Sequence, residues 1–64
     1  MLKNNIRVER AILDITQQEL ADKVGVSRQT INSIETERYV PSTVLALKIA
    51  AVFGKPVEEI FFLI

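Results

Sequence analysis

Short helical patterns of apolar residues alternate with polar breaks along the chain, and this alternation predicts five helices. Within each predicted helix the apolar residues recur every three or four positions, as Leu20, Ala21 and Val24 do, so that they share one face. The breaks carry residues that end or begin helices: Gly25 can take the left-handed conformation that ends a helix, and Ser27 is a favourable N-cap. The predicted helices cover residues 5–13, 17–24, 28–36, 43–53 and 57–61.

The third predicted helix has one apolar side and one side without any apolar residue. Ile31 and Ile34 fall on the first side, and the second side carries Arg28, Gln29, Asn32, Ser33 and Thr36. Only residues 25–27 separate this helix from the second one, and so short a turn makes two helices cross steeply. The polar side is then expected to project as a ridge, and an α-helix has the width to enter the major groove of B-DNA.

Composition excludes several classes of function. The 64 residues allow one domain, covering residues 1–64, and 48% hydrophobic with 25% charged residues is a globular composition. The chain has no cysteine and no histidine, so it lacks thiolate metal ligands and the commonest general base. We therefore expect no enzyme, cofactor, metal or small-molecule substrate. No apolar run approaches the roughly 18 residues of a membrane span, and no signal peptide is visible, so we expect a cytoplasmic protein without a membrane partner.

The charge balance argues against a strongly basic nucleic-acid surface. Eight basic and eight acidic residues give a formal net charge of zero, whereas most nucleic-acid-binding domains carry a basic footprint. A local patch on one face can still act when the total cancels. We expect modest non-specific affinity for DNA and a shallow dependence on salt.

Several motifs together resemble one family over nearly the whole chain. They are ITQQELA at 15–21, VGVSRQTI at 24–31, IE at 34–35, Tyr39, PS at 41–42, ALKIA at 46–50 and the segment 56–61. This set resembles the Cro/C1-type helix-turn-helix family of phage repressors and small bacterial and archaeal regulators. The resemblance implies an all-α, five-helix, lambda-repressor-like DNA-binding domain.

The resemblance also implies roles for individual residues. Arg28, Gln29 and Asn32 would face base edges, where Arg prefers guanine and the amides prefer adenine. Gln17 would bind a phosphate and brace the third helix, and Ser27 would lie near the DNA backbone or a thymine methyl group. Phosphate contacts would come from Thr36, Arg38 and Tyr39. The full expected DNA-binding set is Gln17, Gln18, Ser27, Arg28, Gln29, Asn32, Ser33, Thr36, Arg38 and Tyr39. The family pattern also pairs Arg10 with Glu35, an ion pair that we expect to be structural.

The chain departs from the family pattern in its first and fourth helices. Glu9 stands at a position that is usually apolar. A slipped helix, an added interface, or the pairing of Glu9 with Arg10 or another cation would each explain it. Four apolar residues stand where the family is usually polar or charged: Ile12, Leu13, Val44 and Ala51.

The apolar end of the chain has two interpretations. The run Phe62-Leu63-Ile64 either closes the core of the monomer or forms a subunit interface, and we favour the interface because exposed apolar patches commonly mark one. The resemblance points the same way, because short members of the family pair through the fifth helix and the chain ends. The expected interface residues are Val57, Ile60, Phe61, Phe62, Leu63 and Ile64. A further hypothesis pairs Met1-Leu2-Lys3 with this tail as a small antiparallel strand pair.

The resulting hypothesis is a homodimeric transcriptional regulator of double-stranded DNA. Two recognition helices would enter successive major grooves about 34 Å apart, so the operator would be an inverted repeat. Repression is the commoner outcome in the family. The alternatives are a protein-interaction module that uses the same fold without DNA, and an antitoxin that binds both a toxin and its own promoter.

Overall fold

Five helices and two short strands follow one another in the computed structural model, which describes all 64 residues. The elements are β1 (Leu2–Asn4), α1 (Ile6–Leu13), α2 (Gln17–Val24), α3 (Arg28–Glu35), α4 (Thr43–Phe53), α5 (Val57–Ile60) and β2 (Phe61–Leu63). The predicted number and order of helices are confirmed. The fifth helix is one residue shorter than predicted, because Phe61 is extended (φ −121°, ψ 132°) and begins β2.

Side-chain caps fix where the helices begin. Thr16 and Glu19 form a capping box at α2, in which Thr16 Oγ1 accepts from the Glu19 N–H at 3.0 Å and Glu19 accepts from the Thr16 N–H at 2.9 Å. The hydroxyl oxygens of Ser27 and Ser42 accept from backbone N–H groups at the starts of α3 and α4. These bonds satisfy N–H groups that have no partner inside the helix, and they explain why the predicted starts hold.

One apolar cluster joins all five helices. Its twelve buried residues are Ile6, Leu20, Ala21, Val24, Ile31, Ile34, Leu45, Ile49, Ala50, Phe53, Ile60 and Phe61. The helix α4 supplies four of them, and α2 packs between α4 and α3. Ile60 and Phe61, which we expected at a subunit interface, thus belong to the core of the monomer. Their apolar side chains are already covered within one chain and offer no surface to a partner.

Glu9 is a charged residue at a core position, and its partner lies far away in the sequence. The Lys55 amine, from the turn between α4 and α5, donates to Glu9 Oε2 at 2.9 Å. Pairing with a cation other than Arg10 therefore explains the acidic residue at a core position. Ile12 and Leu13 are exposed, by 65% and 46%, so neither compensates by entering the core.

The two strands tie the ends of the chain together. They pair antiparallel, with Leu2 opposite Leu63, Lys3 opposite Phe62 and Asn4 opposite Phe61. The predicted terminal strand pairing is confirmed, with each strand displaced by one residue toward the interior of the sequence, and it forms within a single chain. No helix of the structure combines the length and apolar character needed to cross a membrane.

Candidate nucleic-acid interface

The turn between α2 and α3 positions the polar ridge. Gly25 ends α2 with φ at +77°, in the left-handed region that residues with a side chain rarely adopt. The N–H groups of Gly25 and Val26 both donate to the Ala21 carbonyl, at 2.8 and 3.0 Å, which folds the chain back within three residues. Ile31 and Ile34 then face the core, and the opposite side of α3 remains outside it.

Two grooves flank this side of α3. The first has a volume of about 390 Å³ and is lined only by polar side chains: Gln17, Arg28, Gln29, Asn32 and Ser33. The second, of about 310 Å³, is lined by Ser27, Gln29, Thr30, Ser33 and Tyr39. Gln29 and Ser33 line both grooves and form the ridge between them. We call the surface that comprises both grooves the α3 ridge.

A buried ion pair supports the ridge from behind. Arg10 meets the Glu35 carboxylate with two donors, Nε to Oε2 at 2.7 Å and Nη2 to Oε1 at 3.0 Å. Its third nitrogen, Nη1, donates to the Ile15 carbonyl at 3.1 Å. The Glu35 side chain is only 2% exposed, and its hydrogen bond raises the pKa of Arg10 above the ordinary value. The predicted pair is thus present as a planar two-point contact that joins α1 to the end of α3.

Gln17 connects this ion pair to the ridge. Its Nε2 lies 3.2 Å from Glu35 Oε1 and 3.2 Å from Asn32 Oδ1. The first residue of α2 is thereby bonded to two successive turns of α3. Gln17 braces the third helix as expected, and both N–H groups of its amide are engaged within the protein.

The charges are arranged so that neither groove is lined by an acidic residue. Arg28 and Arg38 have no carboxylate within 4 Å, whereas Glu9, Glu35 and Glu37 are each paired with a cation elsewhere. A net charge of zero therefore coexists with a ridge on which the free charge is positive.

Comparison with known proteins decides the family. A family sequence model described as helix-turn-helix matches residues 6–60. The chain belongs to the helix-turn-helix family. A Methanocaldococcus jannaschii protein named an uncharacterized HTH-type transcriptional regulator is 52% identical over 60 residues, which covers 94% of this chain and 91% of the relative. A Bacillus subtilis protein with the same description is 44% identical over 62 residues, covering 97% and 94% of the two chains.

The fold of this helix-turn-helix protein also matches a solved structure. The crystal structure of a candidate DNA-binding protein from Bacteroides fragilis superposes with a TM-score of 0.85 at 26% identity. The match covers 95% of this chain and 98% of that one. The five-helix architecture expected from the family resemblance is therefore confirmed.

The structure brings seven of the ten expected DNA-binding residues to the α3 ridge: Gln17, Ser27, Arg28, Gln29, Asn32, Ser33 and Tyr39. Three others line neither groove. Gln18 donates to Asp22 at 2.9 Å along α2, and the Thr36 hydroxyl donates to the Asn32 carbonyl at 2.9 Å. Arg38 lies beyond the end of α3 and is exposed. Contact of any of these ten residues with DNA stays a prediction.

The sequence analysis missed one residue of the α3 ridge and one exposed cation near its supporting ion pair. Thr30 lines the second groove and shares a 3.0 Å hydrogen bond with the Ser27 hydroxyl. Arg7 is 77% exposed, and its Nε lies 3.9 Å from Glu35 Oε1, close to the start of α2. The spacing of Arg7 and Arg10, three positions apart in α1, was the available signal, because residues at that spacing share a helix face.

Proposed function

We propose that this chain is a transcriptional regulator that binds double-stranded DNA with α3 in the major groove. The proposal depends mainly on the α3 ridge, which is an exposed helix face of polar side chains flanked by two grooves without acidic residues in their lining. Relatives named HTH-type transcriptional regulators match this chain over nearly their whole length, which supports the same role here. Transcriptional regulators are not enzymes as a class, which supports the expectation that this chain is not an enzyme. A cytoplasmic location is also part of the proposal.

Within this proposal, base recognition and phosphate binding use different groups. Arg28, Gln29 and Asn32 face the bases, and Arg7 and Arg38 meet phosphates, which position the protein without specifying sequence. Gln17 contributes its backbone N–H group, rather than its side-chain amide, to phosphate binding. The N–H groups of Gln17 and Gln18 open α2 and donate to no protein acceptor, and such groups at a helix N-terminus favour a phosphate.

The proposal includes a homodimer on an inverted-repeat operator. Met1, Leu63 and Ile64 are about four-fifths exposed, and Met1 and Ile64 are joined by a 3.2 Å backbone hydrogen bond. We call these three exposed apolar residues at the paired chain ends the terminal patch. Two copies joined there would present two α3 ridges to one face of DNA, and occupying an operator in this way would repress transcription by excluding polymerase.

Anisotropy titration of a labelled random duplex at low salt tests the DNA-binding function. We expect Arg28→Gln to weaken binding clearly, because it removes the free cation from the first groove. Lys23→Gln is the matched control: Lys23 is also exposed and without a carboxylate within 4 Å, but it lines neither groove. Equal losses for both variants would contradict a role for the ridge. Absence of binding by the unaltered chain in about 50 mM salt would contradict the function itself.

A protein-interaction module is the second candidate, and one observation favours it. Val8 and Ile12 lie one helical turn apart on α1 and are 56% and 65% exposed. A helix of a partner protein would cover these two exposed apolar side chains. Failure of the titration together with loss of partner binding in Ile12→Asp would favour this candidate over DNA binding.

A further inference from the structure

The turn after α3 ends the helix with backbone hydrogen bonds that usually accompany a glycine. The Arg38 N–H donates to the Ser33 carbonyl at 2.9 Å, and the Glu37 N–H donates to the Ile34 carbonyl at 3.0 Å, which is the Schellman arrangement of a helix C-terminus. Its left-handed position is usually occupied by glycine, but here Glu37 occupies it with φ at +64°. The chain therefore carries backbone strain directly before Arg38, the residue that we expect to bind a phosphate.

Two side chains of β1 hold this turn in place. Lys3 Nζ lies 3.1 Å from Glu37 Oε1, so an ion pair reaches the strained residue itself. Asn4 Nδ2 donates to the Ile34 carbonyl at 2.9 Å, and the same carbonyl also accepts from the Glu37 N–H. Neighbouring residues of one strand thus contact the turn at two points.

The strand β1 is itself fixed to the rest of the fold. Lys3 lies opposite Phe62 and Asn4 opposite Phe61 in the two-stranded sheet, and Phe61 belongs to the core. Asn4 Oδ1 accepts from the Ile6 N–H at 3.2 Å, which joins the strand to the start of α1. The contacts with the turn therefore come from an anchored part of the chain.

Stability alone does not account for Glu37 in this turn. The Lys3 and Glu37 side chains are 37% and 31% exposed, and ion pairs with that much solvent contribute little to stability. Glycine at the same position would remove the strain. Strain that persists because neighbouring contacts maintain it is typical of functional sites. The contacts from β1 therefore indicate a role in placing the turn.

We propose that Lys3 and Asn4 are positioning residues for phosphate binding by Arg38, an inference that rests on the proposed function. The N–H groups of Arg38 and Tyr39 both donate to the Ser33 carbonyl, at 2.9 and 3.2 Å, so the backbone of the turn sets where both side chains leave α3. Arg38 is exposed. Holding its backbone in advance reduces the conformational entropy that is lost when the side chain binds a phosphate.

The salt dependence of duplex binding tests this inference, because it reports the number of phosphate contacts. In anisotropy titrations between about 50 and 200 mM salt, each contact contributes about 0.9 to the slope of log K against log salt concentration. Arg38→Gln should lower the slope by about that amount. Glu37→Gln breaks the ion pair with Lys3, and it should lower the slope by about half as much and the affinity by about threefold.

The sign of the Glu37→Gln effect separates positioning from simple electrostatics. Loss of a carboxylate near DNA, and release of the Lys3 amine from it, would by themselves strengthen binding to a polyanion. Glu58→Gln is the matched control for charge: Glu58 is exposed on α5 and has no cation within 4 Å. This control should not weaken binding.

A neutral pair of variants tests the second contact. Asn4→Ala removes the donor to the Ile34 carbonyl and should lower the slope as Glu37→Gln does. Asn5→Ala removes the neighbouring amide, which donates to the Glu59 carbonyl at 3.4 Å, and should leave the slope unchanged. Thermal melting checks that the variants are folded at the temperature of the titration, and the salt slope is a readout that a merely structural role would not move.

A double-mutant cycle connects both contacts to Arg38. In the Arg38→Gln background, Glu37→Gln and Asn4→Ala should cost no further affinity, because the phosphate contact that they position is already gone. Equal losses in both backgrounds would overturn the inference. So would a slope that is unchanged or steeper in Glu37→Gln, or unchanged in Arg38→Gln. In each of these cases DNA binding survives, whereas failure of the unaltered chain to bind any duplex would remove the proposed function, and this inference with it.

Discussion

Removing the amine of Lys55 isolates a carboxylate inside the fold. Glu9 is 7% exposed, and Lys55 is the cation within 4 Å of it. In Lys55→Met the side chain keeps most of its length and loses its amine and its charge, so Glu9 remains in a largely apolar setting without a partner. We expect this variant to be less stable than the unaltered chain, and the loss to depend on Glu9.

The magnitude follows from the exposure of the two side chains. Removing one member of a fully buried ion pair costs about 3–5 kcal/mol, because the other charge stays buried. The Lys55 side chain is 39% exposed, so water screens the pair and partly replaces the lost amine. A charge-assisted hydrogen bond contributes about 1.5–3 kcal/mol, and we therefore expect a loss of about 2 kcal/mol. For a domain of this size, that loss lowers the Tm by about 8–16 °C.

Urea and thermal unfolding, followed by circular dichroism, measure this effect in a double-mutant cycle. Glu9→Met removes the carboxylate at nearly constant side-chain length and should be neutral or slightly stabilising, as apolar replacements of buried charges often are. In the Glu9→Met background, Lys55→Met should then cost less than about 0.5 kcal/mol, which leaves a coupling energy near 2 kcal/mol. Equal losses in both backgrounds would refute the reasoning.

Three further substitutions test other parts of the structure. Arg10→Met should destabilise the fold by about 3 kcal/mol in urea unfolding, because the Glu35 side chain is 2% exposed and would keep only the exposed Arg7, 3.9 Å away, as a cation; a loss below about 1 kcal/mol would contradict this. Glu37→Gly should stabilise the fold by about 0.5 kcal/mol in thermal unfolding, since Glu37 has φ at +64° and its ion pair with Lys3 is partly exposed. A clear loss of stability would show that the ion pair outweighs the backbone strain. Leu63→Asp should weaken the proposed dimer through an unpaired charge in the terminal patch, and sedimentation equilibrium with an unchanged dimer population would exclude that patch as the interface.

Local chemistry explains why much of the fold is predictable from the sequence. The bounds of α2 and α4 coincide with the predicted ones because each is set within a few residues, by a capping side chain before the helix and a left-handed glycine after it. The projecting face of α3 follows from helical period and a three-residue turn. These signals act over short stretches of chain, and no other part of the fold overrides them.

Contacts between distant parts of the chain escaped the sequence analysis. Glu9 and Lys55 are 46 residues apart, and the sequence left a slipped helix, an added interface and pairing with a cation as explanations for Glu9. The apolar run at the chain end was compatible with both a core and an interface. In the structure Ile60 and Phe61 take the first role, whereas Leu63 stays exposed. Exposure rises from Phe61 through Phe62 to Leu63 along β2, so the chain end leaves the core gradually, and the position of β2 depends on its pairing with β1.

The polarity of the α3 ridge also required the structure. The family resemblance assigns base contacts to Asn32 by residue type, but the direction in which its amide donates depends on Gln17 and Glu35 together. Three residues from two helices must be in place before that direction is defined.

Removal of single major-groove acceptors tests most directly whether the α3 ridge binds in that groove. Each purine of a selected duplex is replaced in turn by its 7-deaza analogue, which lacks N7 and leaves the minor groove unaltered. Binding should fall by about fivefold to tenfold at a few purines in each half-site, with half-site centres about 10 base pairs apart. Binding that is unaffected at every purine would contradict major-groove recognition by this helix.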